Sequence, residues 1–295
     1  MFLLYINDLC NVSSVVESLL YADDTSLYIT GSNIEEMINC MNEELVKIVE
    51  WLNINKLTLN VQKTEYIIFA PGRKKIGTSA NISINGNIIN RVSEIKFLGV
   101  IIDHKLLWQN HTHHVKMKVS KNIGILCKGK KIFKKSTLVT MYNSFINPYI
   151  AYCLEIWGLC AKKYSEPIIR LQKLCCRIIT GVPKRTPSAP LFKMLNIVAL
   201  DEMYKHSVMI IMYRFYKGML PSVMNQIFSR KADARSHCTR QSHHINVPLC
   251  KSQVSFNSLK YQGPSIWNKY CTKVGYDCSL HTFSKRVRLL CIFNV

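Results

Sequence analysis

The sequence predicts an α+β fold, in which a head of β-hairpins packed on one helix is followed by a helical region. Short apolar runs separated by turn residues fill the chain up to Asp103, and the apolar spacing becomes helical after it. Charge changes along the chain as well. The first 70 residues hold ten acidic and three basic side chains, whereas the remaining 225 hold eight and 36. This polarity favours cation binding at one end and polyanion binding at the other.

The first predicted element is a hairpin over residues 18–30. Its strands are "SLLYA" and "TSLYI", and Asp23-Asp24 is the predicted turn between them. Because side chains alternate along a strand, we expect Asp23 to share a face with Tyr21 and Asp24 to share one with Ala22. Adjacent carboxylates repel, so the pair is either a solvated turn or half of a metal site. The missing ligands of such a site would come from elsewhere.

A long amphipathic helix is predicted next, over about 33–53, with Ser32 as its cap and Glu35 completing a capping box. "KLTLN" and "TEYIIFA" are predicted as short strands, followed by a basic loop at Pro71–Lys75. Asn85-Gly86 marks a second hairpin, because this dipeptide suits a tight hairpin turn. "EIKFLGVIID", residues 94–103, is apolar at both parities and is predicted as a buried strand.

The helical region is predicted to contain helices over 110–135, 137–158, 165–180, 188–196 and 200–217, with a less regular tail from about 219. Gly181 is expected to end the third of these helices.

No acidic residue occurs between Asp103 and Glu155, where eight lysines crowd one helical region. These lysines, which we call the lysine surface, are Lys116, Lys118, Lys121, Lys128, Lys130, Lys131, Lys134 and Lys135. Such a surface can contact phosphates without reading bases. A plain solvated face is the alternative, but solvated faces normally mix both signs of charge.

Composition also restricts the cellular setting. "MFLLYINDLC" lacks the basic start of a signal peptide, and no apolar stretch reaches the length of a membrane span. We therefore expect an intracellular protein, in the nucleus or the cytoplasm, with no membrane partner. Its 12 cysteines are expected to be reduced.

Tyr-Ala-Asp-Asp at 21–24 resembles the catalytic motif of reverse transcriptases, and its surroundings resemble the non-LTR (LINE-type) retrotransposon branch. "FLLYINDL" is similar to the helix that leads to the catalytic hairpin. "WLNINKLTLNVQKTEYIIF" resembles the next palm motif, and "EIKFLGVIID" resembles the strand pair that grips the primer. "YQGPSIWNKY" resembles a segment near the C-terminal end of such proteins. The matches occur in the order of the family and span most of the chain.

The resemblance implies a catalytic role for three residues. Asp23 would be the metal-ligating carboxylate, and Asp24 would be its less critical neighbour. Two Mg²⁺ ions would activate the primer 3′-hydroxyl and neutralise the triphosphate. Lys63 would stand near the leaving pyrophosphate as a general acid or charge stabiliser, unless it is a solvated lysine at a strand start. The implied partners are an RNA template, a DNA primer and deoxynucleoside triphosphates.

The resemblance also implies a primer grip at Phe97, Leu98 and Gly99. Residues 1–103 would be a partial palm, 104–182 a basic helical thumb, and 183–295 a helical C-terminal region and tail. The lysine surface would lie on this thumb, and five further basic residues would extend it: Arg170, Lys173, Arg177, Lys184 and Arg185.

In the family, the fingers and a first palm strand with another catalytic aspartate lie upstream of the hairpin. Here 22 residues precede Asp23, and none of them is expected to form that strand. The expectation is therefore a polymerase fragment that is inactive alone. Two alternatives are a non-catalytic remnant that binds RNA or RNA–DNA duplex, and a relic that does not fold stably.

Overall fold

The structure is a computed structural model, and it describes residues 2–70, 80–231 and 243–293. The chain divides into two compact units, Met1–Lys105 and Leu106–Val295. All the named strands belong to the first unit, and the second unit is helical, as an α+β fold predicts. The predicted basic loop at Pro71–Lys75 lies outside the described residues.

The described residues of the first unit form two α-helices and several small two-stranded sheets. Its helices are α1 (Phe2–Ile6) and α2 (Ile34–Ile54), and its strands are β1 (Glu17–Tyr21), β2 (Asp24–Tyr28), β3 (Glu65–Tyr66), β4 (Ser83–Ile84), β5 (Asn87–Ile88), β6 (Asn90–Arg91), β7 (Glu94–Phe97) and β8 (Val100–Asp103). Antiparallel hairpins join β1 to β2, β4 to β5 and β7 to β8, whereas β3 pairs with β6 in parallel.

Helix α2 is capped one residue later than predicted. The side chain of Asn33 accepts a hydrogen bond from Glu35 N at 3.1 Å and donates one to Glu36 Oε1 at 2.8 Å. The capping pair is therefore Asn33 with Glu36, and not Ser32 with Glu35. Asn33 has the extended backbone that an N-cap requires, which places the helix start after it.

The apolar face of α2 forms the core of the first unit. Met41, Leu45 and Val49 are buried against Val16, Ile84 and Ile89, whereas Ile48 and Leu52 are buried against Ile6 and Leu9. Asn42 also ties α2 to the segment before β4, because its side chain donates to Asn81 O and accepts from Ser83 N, both at 3.0 Å.

Three predicted strands differ from the structure. "KLTLN" is not a strand, since Lys56 adopts a left-handed backbone with φ 54° and Asn60 caps a single 3₁₀ turn over Val61–Lys63. The strand predicted in "TEYIIFA" shortens to β3. Residues 94–103 form the hairpin β7–β8 and not one strand, because Leu98 and Gly99 reverse the chain.

The second unit is built from helices α3 to α13. They are α3 (Gln109–Gly129), α4 (Lys135–Phe145), α5 (Asn147–Ala151), α6 (Leu154–Trp157), α7 (Lys162–Thr180), α8 (Ala189–Leu195), α9 (Leu200–Tyr216), α10 (Ser222–Asn225), α11 (Gln253–Phe256), α12 (Leu259–Val274) and α13 (Leu280–Phe293). As predicted, Gly181 ends α7, with φ 78° at the C-cap.

The helix predicted over 137–158 is instead three helices. Pro148 has no N–H to continue α4, so a new helix begins at Asn147. Cys153 then takes a left-handed backbone with φ 49°, which separates α5 from α6.

One continuous apolar core joins the helices of the second unit from Val115 to Cys291. Gln172 on α7 is fully buried within it, where its amide donates to the Tyr142 hydroxyl at 2.9 Å and accepts from Leu200 N at 3.0 Å. This one side chain therefore connects α7 with α4 and with the start of α9.

The segment predicted as a less regular tail contributes fully to this core. Trp267 and Phe283 are completely buried, and the Trp267 indole donates to His243 O at 3.1 Å. Gly263 allows α12 to approach α9 closely, because a Cβ added there would lie 2.5 Å from Met212 Sδ. The "YQGPSIWNKY" segment is thus a helix-packing segment in this structure.

Candidate active site and nucleic-acid surface

The candidate active site is the tip of the β1–β2 hairpin. Tyr21 pairs with Asp24, so the turn consists of Ala22 and Asp23, and Asp24 is already the first residue of β2. Ala22 holds the turn with φ 54°, the left-handed region. The prediction that Asp23-Asp24 forms the turn is therefore wrong by one residue.

The side of the hairpin to which each aspartate points also differs from the prediction. Residues paired across an antiparallel sheet point to the same side, so Asp24 shares a face with Tyr21 and not with Ala22. Asp23 lies in the turn, outside this alternation. The error arises because a two-residue turn interrupts the alternation that would hold along one continuous strand.

The rest of the hairpin fixes this tip to the body of the first unit. Leu20 and Leu27 are on the inner face and pack against the cores formed by α2. Both aspartates are exposed to solvent. On the outer face, the Tyr28 hydroxyl donates a hydrogen bond to the Glu17 carboxylate, which raises the pKa of Tyr28 above its usual value.

The donors at this tip suit a divalent metal in kind but are few. Magnesium prefers oxygen ligands and often takes only one or two carboxylates, completing its shell with phosphate and water. Asp23 and Asp24 supply that number. Within the described ranges, no group of three or more His, Cys, Asp or Glu side chains could hold a metal ion by itself.

Lys63 is exposed and belongs to a different part of the first unit. It ends the 3₁₀ turn before β3, where its backbone N–H donates to the Asn60 side chain at 3.2 Å. No ion pair between described residues joins Lys63 to Asp23 or Asp24. Its role stays a prediction from the resemblance.

Phe97, Leu98 and Gly99 lie at the tip of the β7–β8 hairpin. Phe97 pairs with Val100, and the turn between them is Leu98-Gly99. Both turn residues have positive φ, 45° for Leu98 and 84° for Gly99, which is the signature of a type I′ turn. Glycine adopts a positive φ easily, so Gly99 suits this turn, whereas a positive φ is unfavourable for Leu98.

The lysine surface spans α3, the following turn and the start of α4. Lys118, Lys121 and Lys128 are on the exposed face of α3, and Lys116 is half-buried at its edge. Lys130, Lys131, Lys134 and Lys135 are also exposed. The first three follow α3 and the fourth begins α4, because α3 ends at Gly129 and not at residue 135 as predicted. None of the eight takes part in the ion pairs found in the described part of the chain.

The predicted extension of this surface on α7 is partly occupied by internal contacts. Arg170 pairs with Glu166 at 3.3 Å, and Arg177 donates to Thr186 O at 3.0 Å. Lys173 is half-buried on α7, and Lys184 and Arg185 are exposed after it.

Two apolar side chains within the lysine surface were not anticipated. Ile132 is 77% exposed and Phe133 is 47% exposed, both in the turn between α3 and α4. The run "KKIFKK" contained the signal, since apolar residues enclosed by four lysines have little chance of burial.

Comparison with known proteins shows similarity to polymerases of mobile elements. Over 167 residues, 55% of its length, the chain is 26% identical to the RNA-directed DNA polymerase from mobile element jockey of Drosophila melanogaster, of which 18% is covered. It is 26% identical over 187 residues to the probable RNA-directed DNA polymerase from transposon BS of the same species, covering 62% of the chain and 20% of the relative. A retrovirus-related Pol polyprotein from type-1 retrotransposable element R1 2 of Nasonia vitripennis is 19% identical over 151 residues, covering 49% of the chain and 37% of the relative.

These similarities confirm the family resemblance predicted from the motifs. The chain spans about a fifth of the length of the jockey and BS relatives. No family profile matches the chain, and no solved structure is similar to it. None of the helices in the described ranges has the length and apolar character needed to cross a membrane.

Proposed function

We propose that the chain is the rear part of the polymerase region of a non-LTR retrotransposon reverse transcriptase. The observation that carries this proposal is the exposed Asp23–Asp24 pair at the tip of a hairpin whose inner face is anchored on α2. The similarity to RNA-directed DNA polymerases supports it. Residues 1–103 would then be a partial palm, residues 104–182 the thumb, and residues 183–295 the C-terminal region.

The proposed chemistry is nucleotidyl transfer to a DNA primer on an RNA template. Mg²⁺ held by Asp23, with Asp24 beside it, would supply charge stabilisation for the triphosphate and activation of the primer hydroxyl. Phe97, Leu98 and Gly99 would position the primer end, and Lys63 would stabilise the leaving pyrophosphate. The lysine surface would bind template and primer through their phosphates, without preference for sequence.

Metal binding at the hairpin can be tested on the chain itself. We expect Mn²⁺, used as a paramagnetic substitute for Mg²⁺, to broaden the amide NMR signals of residues 22–25 selectively. Asp23→Asn should abolish this broadening. Asp8→Asn should leave it intact, because Asp8 is also an exposed carboxylate but belongs to the 3₁₀ turn Asn7–Asn11 and not to the hairpin. Broadening that survives Asp23→Asn would contradict the assignment.

Polymerisation needs carboxylates from more than one strand, and within the described residues no third His, Cys, Asp or Glu side chain joins Asp23 and Asp24 in a group that could hold a metal ion. We therefore propose that this polypeptide alone does not extend a primer, and that activity belongs to a longer form. The check is RNA-templated primer extension by the purified chain, with expected activity at background. Extension that disappears in Asp23→Asn would overturn the proposed inactivity.

The second candidate function is a binding remnant that keeps affinity for RNA or RNA–DNA duplex without catalysis. The lysine surface favours it, because its eight side chains make no ion pair with any residue in the described part of the chain and phosphate binding there needs no metal. Salt-dependent binding of a template–primer without Mn²⁺ broadening at residues 22–25 would select this function. Absence of both would leave the relic alternative.

A further inference from the structure

The turn between α3 and α4 carries an aromatic ring in the middle of the lysine surface. Phe133 is 47% exposed and its neighbour Ile132 is 77% exposed. Lys130 and Lys131 precede them, and Lys134 and Lys135 follow, all four exposed. Surface residues of this size are usually isolated among polar neighbours of both charges. Here the neighbours are all cationic.

The Phe133 ring is held in place and does not extend freely into solvent. Its backbone N–H donates to Gly129 O at 2.8 Å. The ring also rests against Gly129, since a Cβ added to that glycine would lie 3.3 Å from Phe133 Cδ2 and 3.0 Å from Met141 Cε. Part of the ring is therefore packed on the end of α3, while nearly half of its surface remains open.

We propose that Phe133 is a stacking platform for an unpaired base of a nucleic-acid strand whose phosphates lie on the lysine surface. This inference rests on the proposed nucleic-acid binding and specifies its ligand as a strand with at least one unpaired base. Aromatic stacking needs only the flat face that every base offers, so it tolerates any sequence. A fixed ring loses little conformational entropy when the base binds.

An anionic lipid surface would match the same charges, but the structure favours nucleic acid. The apolar side of α3 is buried in the protein core through Val115, Val119 and Leu126. Its exposed side carries two large apolar side chains, Met117 and Ile125, among the lysines, which is too little to form an apolar face for a bilayer. The cationic strip from Lys118 to Lys128 extends about 15 Å along the helix, at 1.5 Å per residue. A strip of this shape follows a phosphate backbone.

The test is fluorescence anisotropy of the full chain with two labelled oligonucleotides of the same sequence, one single-stranded and one in a blunt duplex. Phe133→Ala should weaken binding of the single strand by at least about fivefold, the lower end of what one stacked base contributes. Phe133→Trp should retain the affinity. Binding of the duplex should be unchanged, because its bases are already stacked.

Phe145→Ala is the matched control, since Phe145 is also 47% exposed and ends α4, with no Lys or Arg between residues 136 and 161. It should leave single-strand affinity unchanged. Equal losses in Phe133→Ala and Phe145→Ala, or equal losses on single strand and duplex, would overturn the stacking role. The thermal unfolding midpoints of the variants exclude misfolding as the cause.

Salt dependence separates this inference from the proposed function. Lys121→Gln should reduce the slope of log affinity against log salt by about 0.7 for a single strand, whereas Phe133→Ala should not change the slope. Lysine effects without a Phe133 effect would reject the platform and keep nucleic-acid binding. No binding of either oligonucleotide would reject both. Phosphatidylserine vesicles that bind through Phe133 while oligonucleotides do not would assign the turn to membranes.

Discussion

In the part of the first unit that the structure describes, the first residues of the three hairpin turns all have positive φ: 54° for Ala22, 51° for Asn85 and 45° for Leu98. Asparagine tolerates this backbone, whereas alanine and leucine pay about 1–2 kcal/mol for it. The Asn85-Gly86 turn is therefore the one without backbone strain, and it has no proposed role. The two strained turns are those of the Asp23 hairpin and of the proposed primer grip, as expected where function sets the backbone.

Exchanging residue types between the turns tests this strain. Ala22→Asn should stabilise the first unit by about 0.5–1 kcal/mol, because it relieves the backbone without removing a buried contact. Asn85→Ala should destabilise it by a similar amount. Both stability changes can be measured by urea unfolding, monitored through the hydrogen exchange of the amides in β1–β2 and β4–β5. A loss of stability in Ala22→Asn would refute strain at this turn.

His111 predicts a pH dependence of the second unit. Burial, together with the nearby His114, lowers the pKa of His111 from 6.5 to about 4. Between pH 6.5 and 4, His111 is therefore protonated in the unfolded chain but remains neutral in the folded chain. Stability is complete above pH 6.5 and falls by about 3 kcal/mol as the pH approaches 4.

The measurement is urea unfolding of the parent chain and of His111→Phe, which keeps an aromatic ring beside Trp157 but cannot be protonated. The variant should have a flatter profile over this window. A smaller slope of the same sign should remain, because burial also lowers the pKa of His206. An unchanged profile would show that His111 is not the titrating group.

Sequence reasoning succeeded for residues whose own chemistry fixes their conformation. Asn85-Gly86 was predicted as a turn because it suits a type I′ turn, and Gly181 was predicted to end a helix. Ala22 was missed because nothing in alanine signals a positive φ. The face of Asp24 followed from that one-residue error, since each shift of a strand register inverts every side chain.

At the level of elements, a buried amide holds three helices together. Gln172 satisfies the Tyr142 hydroxyl on α4 and the first N–H of α9 at Leu200. Gln172→Leu should destabilise the second unit by about 2–3 kcal/mol, because both partners lose a hydrogen bond inside the core. Lys173→Leu, a change on the half-exposed neighbour, should have an effect within about 0.5 kcal/mol. Thermal unfolding of both variants decides, and equal effects would count against the network.

Helices whose ends are determined by the local sequence were predicted correctly. Helices that depend on tertiary packing were missed. Helices α7, α8 and α9 begin and end within three residues of their predicted limits. Helix α12 was missed because Gly263 and Pro264 are poor helix formers. Its formation depends on the close approach of Gly263 to Met212 and on the burial of Trp267. Neither contact can be read from a local pattern.

At the scale of the whole chain, the two units differ sharply in charge. Residues 1–105 hold twelve acidic and nine basic side chains, and residues 106–295 hold six and thirty. The described residues of the second unit form an extended apolar core of their own. We therefore predict that residues 106–295, produced alone, unfold cooperatively and retain most of the affinity for nucleic acid.

Denaturant unfolding and anisotropy on this fragment are the measurements, with residues 1–105 as the counterpart. The counterpart should bind oligonucleotides weakly, since its net charge is negative. If the affinity follows residues 1–105 instead, the lysine surface is not the binding surface.

The position of α13 in the core has a consequence for how the protein is made. Phe283 stacks on Tyr213 of α9, and its ring is fully buried. During synthesis α9 leaves the ribosome well before α13. Its apolar side therefore stays exposed to solvent while about 65 more residues are added, which takes several seconds at ordinary elongation rates. The hairpins of the first unit, which pair neighbouring segments, can form in microseconds as they emerge. A ribosome that stalls before Leu280 would therefore release a chain with a finished first unit and an aggregation-prone second one.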